Sequence, residues 1–341
     1  MRKTIVYILI LGILGFGVWF FLFRDNSTFG EEEAGFNITD TASIGSIFLA
    51  NQKGDTISLK KTNDGWILNN RYPASVRMTQ TLLETFQQQQ AAYPVPENAH
   101  NTVIKSLAGQ GIKVEVMDRK GKLMKVFYVG GQAGAKKGTY MLMEGAQRPY
   151  VIELPSYEGY ITPRYSTDIS EWRNRTVVDI PAAQLATVSV QYASPDEYLN
   201  SFTMVKKPDG KFDVQLHPEL KMTAPLNERR VKTYAGFFQK VGCEGFLEGV
   251  TDLDSIIASV PKLCDIKILD DKGRGNDIAI YKMRVNKRSK NVTEEEVPEF
   301  DADRLYGIIN SGKDTVILQT NTFDKMFRKG YEFYEADVAQ Q

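Results

Sequence analysis

Apolar and polar residues alternate through "SIFLAN" (46–51), "TISLKK" (56–61) and "GWIL" (65–68), with Asn, Asp and Gly between the segments. A period of two with turn residues at the breaks predicts a half-buried antiparallel meander. The period then changes. Val231, Tyr234, Phe238 and Val241 stand at i, i+3, i+7 and i+10 and predict one face of a helix, with Leu82 and Phe86 at the matching places earlier in the chain. A second, shorter helix is expected around "NTVIKSLAG" (101–109) and around "DSIIASV" (254–260). Strands return in "IKVEVMD" (112–118) and "LMKVFYVG" (123–130), turning at "RKG", and in "DIKILDD" (265–271) and "DIAIYKMRV" (277–285), turning at "KGRGN". "TYMLME" with "YVIEL" and "RLYGII" with "TVILQT" complete the two series.

The pattern therefore runs twice. Without a gap, "KKTNDGWIL" (60–68) lies over "KKPDGKFDV" (206–214) at an offset of 146, pairing Lys60 with Lys206, Lys61 with Lys207 and Trp66 with Phe212. "IKVEVMDRKG" lies over "CDIKILDDKG" at 152, which also carries Phe86 onto Phe238 and Ile104 onto Ile256. "VIEL" (151–154) lies over "VILQ" (316–319) at 165. The added residues fall in the polar stretch "LHPELKMTAPLNE" (216–228) and in the charged stretch "NKRSKNVTEEEVPEFDAD" (286–303), where insertions are tolerated. So long a period points to a duplicated domain and not to a solenoid. The order strands, helices, strands gives an α+β class, with two tandem copies of a mixed antiparallel-sheet plus helix domain. The expected organisation is a first copy over 43–165, a connection over 166–183, a second copy over 184–332 and a tail over 333–341.

The N-terminus adds a separate element. Thr4 to Phe23 contains no charged residue, and as a helix it would reach across about 30 Å of hydrocarbon. No small-residue cleavage site follows, so residues 1–24 are expected to be a cytoplasmic tip and an uncleaved transmembrane anchor, with a polar linker over 25–42. Arg2 and Lys3 precede the span and Glu31, Glu32 and Glu33 follow it, which keeps the N-terminus cytoplasmic and sends the body outward. A lipid bilayer is thus the first partner expected.

Composition narrows the rest. Over 341 residues, 42% hydrophobic and 25% charged, the chain can bury two cores. Its 42 basic and 42 acidic residues balance, no long basic run appears, and nucleic acid is not expected as a partner. The two cysteines, Cys243 and Cys264, allow a single bridge or a pair of buried thiols; they overlie Ala91 and Ile112, so burial is expected of both.

Candidate chemistry is sparse. His100 and His217 read as loop residues, and no pair has zinc-ligand spacing. "SLKK" (58–61) matches S-x-x-K, whose lysine belongs beside the hydroxyl on a helix, whereas here it runs along a strand. "GGQAGAKKGT" (130–139) is glycine-rich without the phosphate-loop spacing, and Asp270, Asp271 and Asp277 lack the calcium-loop order, so a hairpin turn accounts for them. Trp66 and Phe212 read as matched core anchors. No catalytic residue, metal or cofactor is expected. The charged insertion reads either as a solvated loop or as a partner-docking loop with a basic block (Lys287, Arg288, Lys290) ahead of an acidic one (Glu294, Glu295, Glu296).

With its single expected anchor, "GWILNNRYPASVRMTQTLLETF", "GTYML", "YVIEL" and "EWRNRTVVDIPAAQLATVSV", the chain resembles the bacterial family called domain of unknown function 4340, over most of 44–330. The resemblance implies a membrane-anchored envelope protein with a periplasmic pair of domains at the bacterial inner membrane, of a kind encoded beside ABC-type exporter subunits and gliding-type auxiliary proteins. It carries no catalytic residues. The function expected is therefore a non-enzymatic accessory or scaffold protein with a transporter-like membrane partner. The alternatives are a binding module for an envelope glycan, lipid or peptide and, behind that, an envelope hydrolase using paired carboxylates.

Overall fold

The computed structural model describes residues 31–134, 138–287, 289 and 297–335. The chain divides into two compact units between Asn174 and Arg175.

The first unit is built on a nine-stranded antiparallel sheet of β1 (Ile44–Ala50), β2 (Thr56–Thr62), β3 (Gly65–Leu68), β4 (Tyr72–Pro73), β5 (Gln90–Pro94), β6 (Ile112–Asp118), β7 (Leu123–Gln132), β8 (Thr139–Met143) and β9 (Tyr150–Glu153). Their order across the sheet is β4-β3-β2-β1-β6-β7-β8-β9-β5. Alternation decides the faces: Ile47 pairs with Leu59 on one side and Val116 on the other, and all three are buried. Helix α1 (Val76–Gln88) lies on that face, capped by the Ser75 side chain and burying Leu82 and Phe86. Phe86, Phe127 and Tyr165 meet edge to face or tilted at 6.1–6.2 Å in the main core. Helix α2 (Glu97–Gln110) packs on β7 and β8, and its Val103 and Leu107 close a smaller cluster with Val95, Ala133 and Val151.

The second unit contains β10 (Thr176–Val178), β11 (Leu185–Tyr192), β12 (Phe202–Lys206), β13 (Phe212–Leu216), α3 (Glu228–Ala235), β14 (Val241–Gly242), β15 (Gly245–Phe246), α4 (Leu253–Ala258), β16 (Lys262–Asp270), β17 (Gly275–Arg284), β18 (Phe300–Ile309) and β19 (Asp314–Gln319). Its eight-stranded sheet has the order β13-β12-β11-β16-β17-β18-β19-β15, which is the order of the first sheet with β4 omitted. Even the irregularities recur, since β1 is bulged between Ile44 and Ser46 and β11 between Leu185 and Thr187.

Several expectations need correction. An α+β protein led by a transmembrane helix is not what the described chain forms: it is mostly antiparallel sheet with few helices, and no helix among the described residues is long and apolar enough to cross a membrane. The stretch Thr4 to Phe23 lies outside the described residues. Helix α3 is short, at 8 residues, because the sequence stops it early. After Ala235 the chain tightens into a 3-10 turn over Gly236–Phe238 and then turns at Lys240 with φ +54°, so Val241 is buried from strand β14 and not from the helix.

Two offsets also shift by one residue. Lys61 pairs with Trp66 across the first hairpin and Lys206 with Phe212 across the second, so Lys206 corresponds to Lys61, and the second turn is one residue longer. Both turns keep a glycine at positive φ, Gly65 at +128° and Gly210 at +84°, where a Cβ would be strained. In the last strand Tyr150 and Ile152 face the main core and Val151 the small cluster; in β19 Val316 and Leu318 face the main core and Ile317 the small one. Val316 therefore matches Tyr150, because a one-residue slip would turn every side chain to the wrong face.

Candidate functional site

A groove of about 800 Å³ opens on the surface of the second unit. One wall is α3. Asn227 starts this helix by accepting the Arg230 N–H at 3.0 Å, and Glu228 in the first turn suits the positive end of the helix dipole. Burial of Val231, Tyr234 and Ala235 fixes the inner face, which leaves Arg229, Arg230 and Thr233 on the groove side, followed by Phe237.

The other wall is the closing segment, Arg328 to Glu335. It is held tightly. The Asn227 N–H donates to the Phe333 carbonyl at 2.8 Å, the Glu335 N–H to the Pro225 carbonyl at 3.0 Å, and the Tyr334 hydroxyl to the Val214 carbonyl of β13 at 2.9 Å. Gly330 is buried where a Cβ would lie 2.5 Å from Leu216 Cδ2, so a larger residue there would require the Leu216 side chain to move.

The three arginines have different tasks. Arg230 Nη1 donates to the carbonyls of Glu332 at 3.0 Å and Tyr334 at 2.8 Å and so ties the two walls together. Arg328 lies 3.6 Å from the Glu332 carboxylate. Arg229 is exposed, and among the described residues nothing pairs with it. Tyr331 and Phe237 supply ring surface, the latter with Lys325 Nζ 5.5 Å from its centre. Burial pushes the Tyr234 and Tyr334 hydroxyls up, so both remain donors near neutral pH. Guanidinium groups beside aromatic surface can receive a carboxylate attached to an apolar or planar body.

The residues singled out from the sequence are dispersed. Cys243 and Cys264 are buried in the second core and no disulfide joins them. Lys287 is exposed in a turn after β17, whereas Arg288, Lys290 and Glu294 to Glu296 lie outside the described residues. His100 stands inside the first turn of α2, not before it, and its Nε2 lies 2.9 Å from the Gln147 carbonyl. His217 packs edge to face on Tyr198 at 4.9 Å. Ser58 and Lys61 are three apart on β2 and so project to opposite faces, which rules out a nucleophile–base pair. Asp270 caps its own hairpin: its Oδ1 accepts the Arg274 N–H at 2.7 Å and the Lys272 N–H at 2.9 Å. Asp118 does the same for Lys120 and Lys122, both at 2.8 Å. Trp66 and Phe212 are half-buried against their respective cores. Among the described residues no three His, Cys, Asp or Glu side chains gather as a metal site would need.

The groove residues were missed because half of them lie in the stretch read as the end of a domain and a tail. The spacing of Val231 and Tyr234 in "ERRVKTY" does expose Arg229 and Arg230, but nothing local reports that residues 328–335 fold back beside them.

Fold and site together define a protein of two like antiparallel-sheet units, the second carrying an arginine and aromatic groove. Residues 74–259 match the family described as Domain of unknown function (DUF4340), and the chain belongs to that family. The match begins beside Ser75, the α1 cap, and ends just past α4, so it spans parts of both units. No curated protein and no solved structure matches the chain.

Proposed function

We propose that the protein is a non-enzymatic accessory or scaffold subunit of the bacterial cell envelope, working at the inner membrane with both units on the periplasmic side and bound to a transporter-like membrane complex. The observation that carries this reading is that two units with the same strand order, each closed by its own hydrogen bonds, differ at the surface beside the long helix. Duplicated frameworks with diverged faces suit the holding of partners better than the building of one catalytic centre. The uncharged sequence stretch 4–23 supports the membrane location. Purification of the native protein from gently solubilised membranes, with identification of what accompanies it, tests the reading. Recovery of the protein alone in several mild detergents overturns it.

A second reading, a binding module for an envelope glycan, lipid or peptide, is favoured by the groove between α3 and the closing segment.

A further inference from the structure

The groove of the second unit is not something the shared fold requires. Ser75 and Asn227 cap equivalent helices, and from that pair the positions of Arg230, Tyr234 and Phe237 correspond to Met78, Leu82 and Thr85 in the first unit. Arg229 corresponds to Arg77, but in the first unit that arginine stands beside Met78, a half-buried residue packed on the core. The closing segments diverge as well. Arg173, which corresponds to Tyr334, lies 3.8 Å over the ring of Tyr72. The outer edge of β3 is occupied by β4, whereas β13 ends its sheet. Of the two frameworks, the second carries a basic and aromatic recess beside its edge strand β13.

The charges of that recess are mixed in a particular way. Arg229, Arg230 and Arg328 line it together with the carboxylates of Glu332 and Glu335. Arg230 is engaged with carbonyl groups and Arg328 lies near Glu332, so Arg229 is the guanidinium most open to a newcomer. A polyphosphate or an anionic membrane surface would bring negative charge against both glutamates. A peptide segment can confine its acid to Arg229, because elsewhere along its length it presents N–H donors to Glu332 and Glu335 and apolar side chains to Phe237 and Tyr331. We propose that this groove docks an acidic peptide segment of a partner protein, with a Glu or Asp on Arg229 and a neighbouring aromatic or aliphatic side chain against Phe237 and Tyr331. The proposal rests on the scaffold reading only in taking the occupant to be a protein.

The full chain in mild detergent is titrated with short synthetic peptides that combine Glu or Asp with Phe, Tyr or Leu, and with the same peptides carrying Gln or Asn in place of the acids. The acidic peptides should bind about tenfold tighter or better, the difference expected for one charge-assisted contact. Arg229→Glu should remove that preference and Arg229→Gln should weaken it, while Arg77→Glu, the equivalent change in the first unit, leaves it intact. Because Arg229 is exposed, the thermal midpoint should not move. Equal binding of acidic and neutral peptides, or equal damage from Arg77→Glu and Arg229→Glu, overturns the proposal. So does Arg229-dependent binding of inorganic phosphate or of phosphatidylglycerol vesicles without peptide binding, the first marking a small-anion site and the second a lipid site. Peptide binding is measured on the isolated chain, so it can fail while co-purification succeeds, and the reverse.

Discussion

The backbone N–H of Asn227 donates to the carbonyl of Phe333 at 2.8 Å, as that of Ser75 does to Trp172 at 2.7 Å. In each unit the residue that caps the long helix thereby also clamps the aromatic residue that closes the fold. The neighbours repeat the arrangement: Ala74 bridges to Arg173 and Leu226 to Tyr334, while Asn174 donates to the Pro73 carbonyl and Glu335 to that of Pro225. Phe333 packs 5.0 Å from the rings of both Phe202 and Tyr234. Replacing it with Ala should cost about 3–5 kcal/mol in the second unit. Hydrogen exchange should show the loss over residues 175–335, and uniform loss across both units would argue against separate closure.

Gln89 is fully buried and links two segments distant in sequence: its Nε2 donates to the Phe36 carbonyl at 2.7 Å and its Oε1 accepts the Tyr165 hydroxyl. In the second unit the corresponding place is held by apolar Val241, and Met326 stands seven residues before Phe333 as Tyr165 does before Trp172. Gln89→Val alone strands two buried polar groups and should cost roughly 1–3 kcal/mol. Gln89→Val with Tyr165→Met should recover part of that loss, since one of the stranded groups is then gone. Denaturation midpoints of the single and double variants decide it, and a double variant no better than the single sinks the idea.

Asp118 and Asp270 predict an acid-sensitive pair of hairpins. The Lys122 N–H first, then that of Lys120, holds the Asp118 carboxyl below the usual carboxylate range. For Asp270 burial works against ionisation, but the N–H and guanidinium of Arg274 and the N–H of Lys272 outweigh it, and its pKa is also lowered. A carboxylate with a depressed folded pKa stabilises above its unfolded pKa, and that stability is lost as pH falls through the folded value. Asp118→Asn and Asp270→Asn should each lower the thermal midpoint at neutral pH and flatten its decline in acid. An unchanged acid limb in both variants would show that these turns are held by backbone alone.

Where the sequence repeats locally, the fold could be read from it. The alternation in β1 and β2 and the Phe86–Phe238 match each depend on residues a few places apart. What local pattern could not reveal was how far the helices run and which face a short strand presents. "YVIE" and "DTVILQ" are apolar at three successive positions, so neither shows a period of two, and the sequence match of Val151 to Val316 gives way to Tyr150, which the faces require. "APLN" (224–227) makes the same backbone contacts to its closing segment as "YPAS" (72–75) with only the proline in common, because those contacts use N–H and carbonyl groups that every sequence supplies. The groove was least legible of all, since it forms where residues 328–335 return to a helix about a hundred positions earlier.

Cys264 gives a prediction at the opposite end of the pH scale. It sits fully buried on β16 opposite Tyr192, and burial pushes its thiol up to about 12. At neutral pH it is therefore a protonated core side chain, poorly nucleophilic as well as shielded. Aromatic disulfide reagents should leave it unmodified in the native protein and react with both Cys264 and Cys243 once the chain is unfolded. The same shift sets a sign for stability. A group whose folded pKa is raised binds its proton more tightly when folded, so its contribution is complete below the unfolded value near 9 and is lost as pH rises towards 12. Buried Tyr165 and Tyr234, also raised by burial, act in the same direction. Cys264→Ala should thus leave a small cavity at neutral pH yet make the alkaline decline shallower than in the wild type, the tyrosines supplying the remainder. A variant whose midpoint falls just as steeply between pH 9 and 12 would mean that the thiol is not what the folded state keeps protonated.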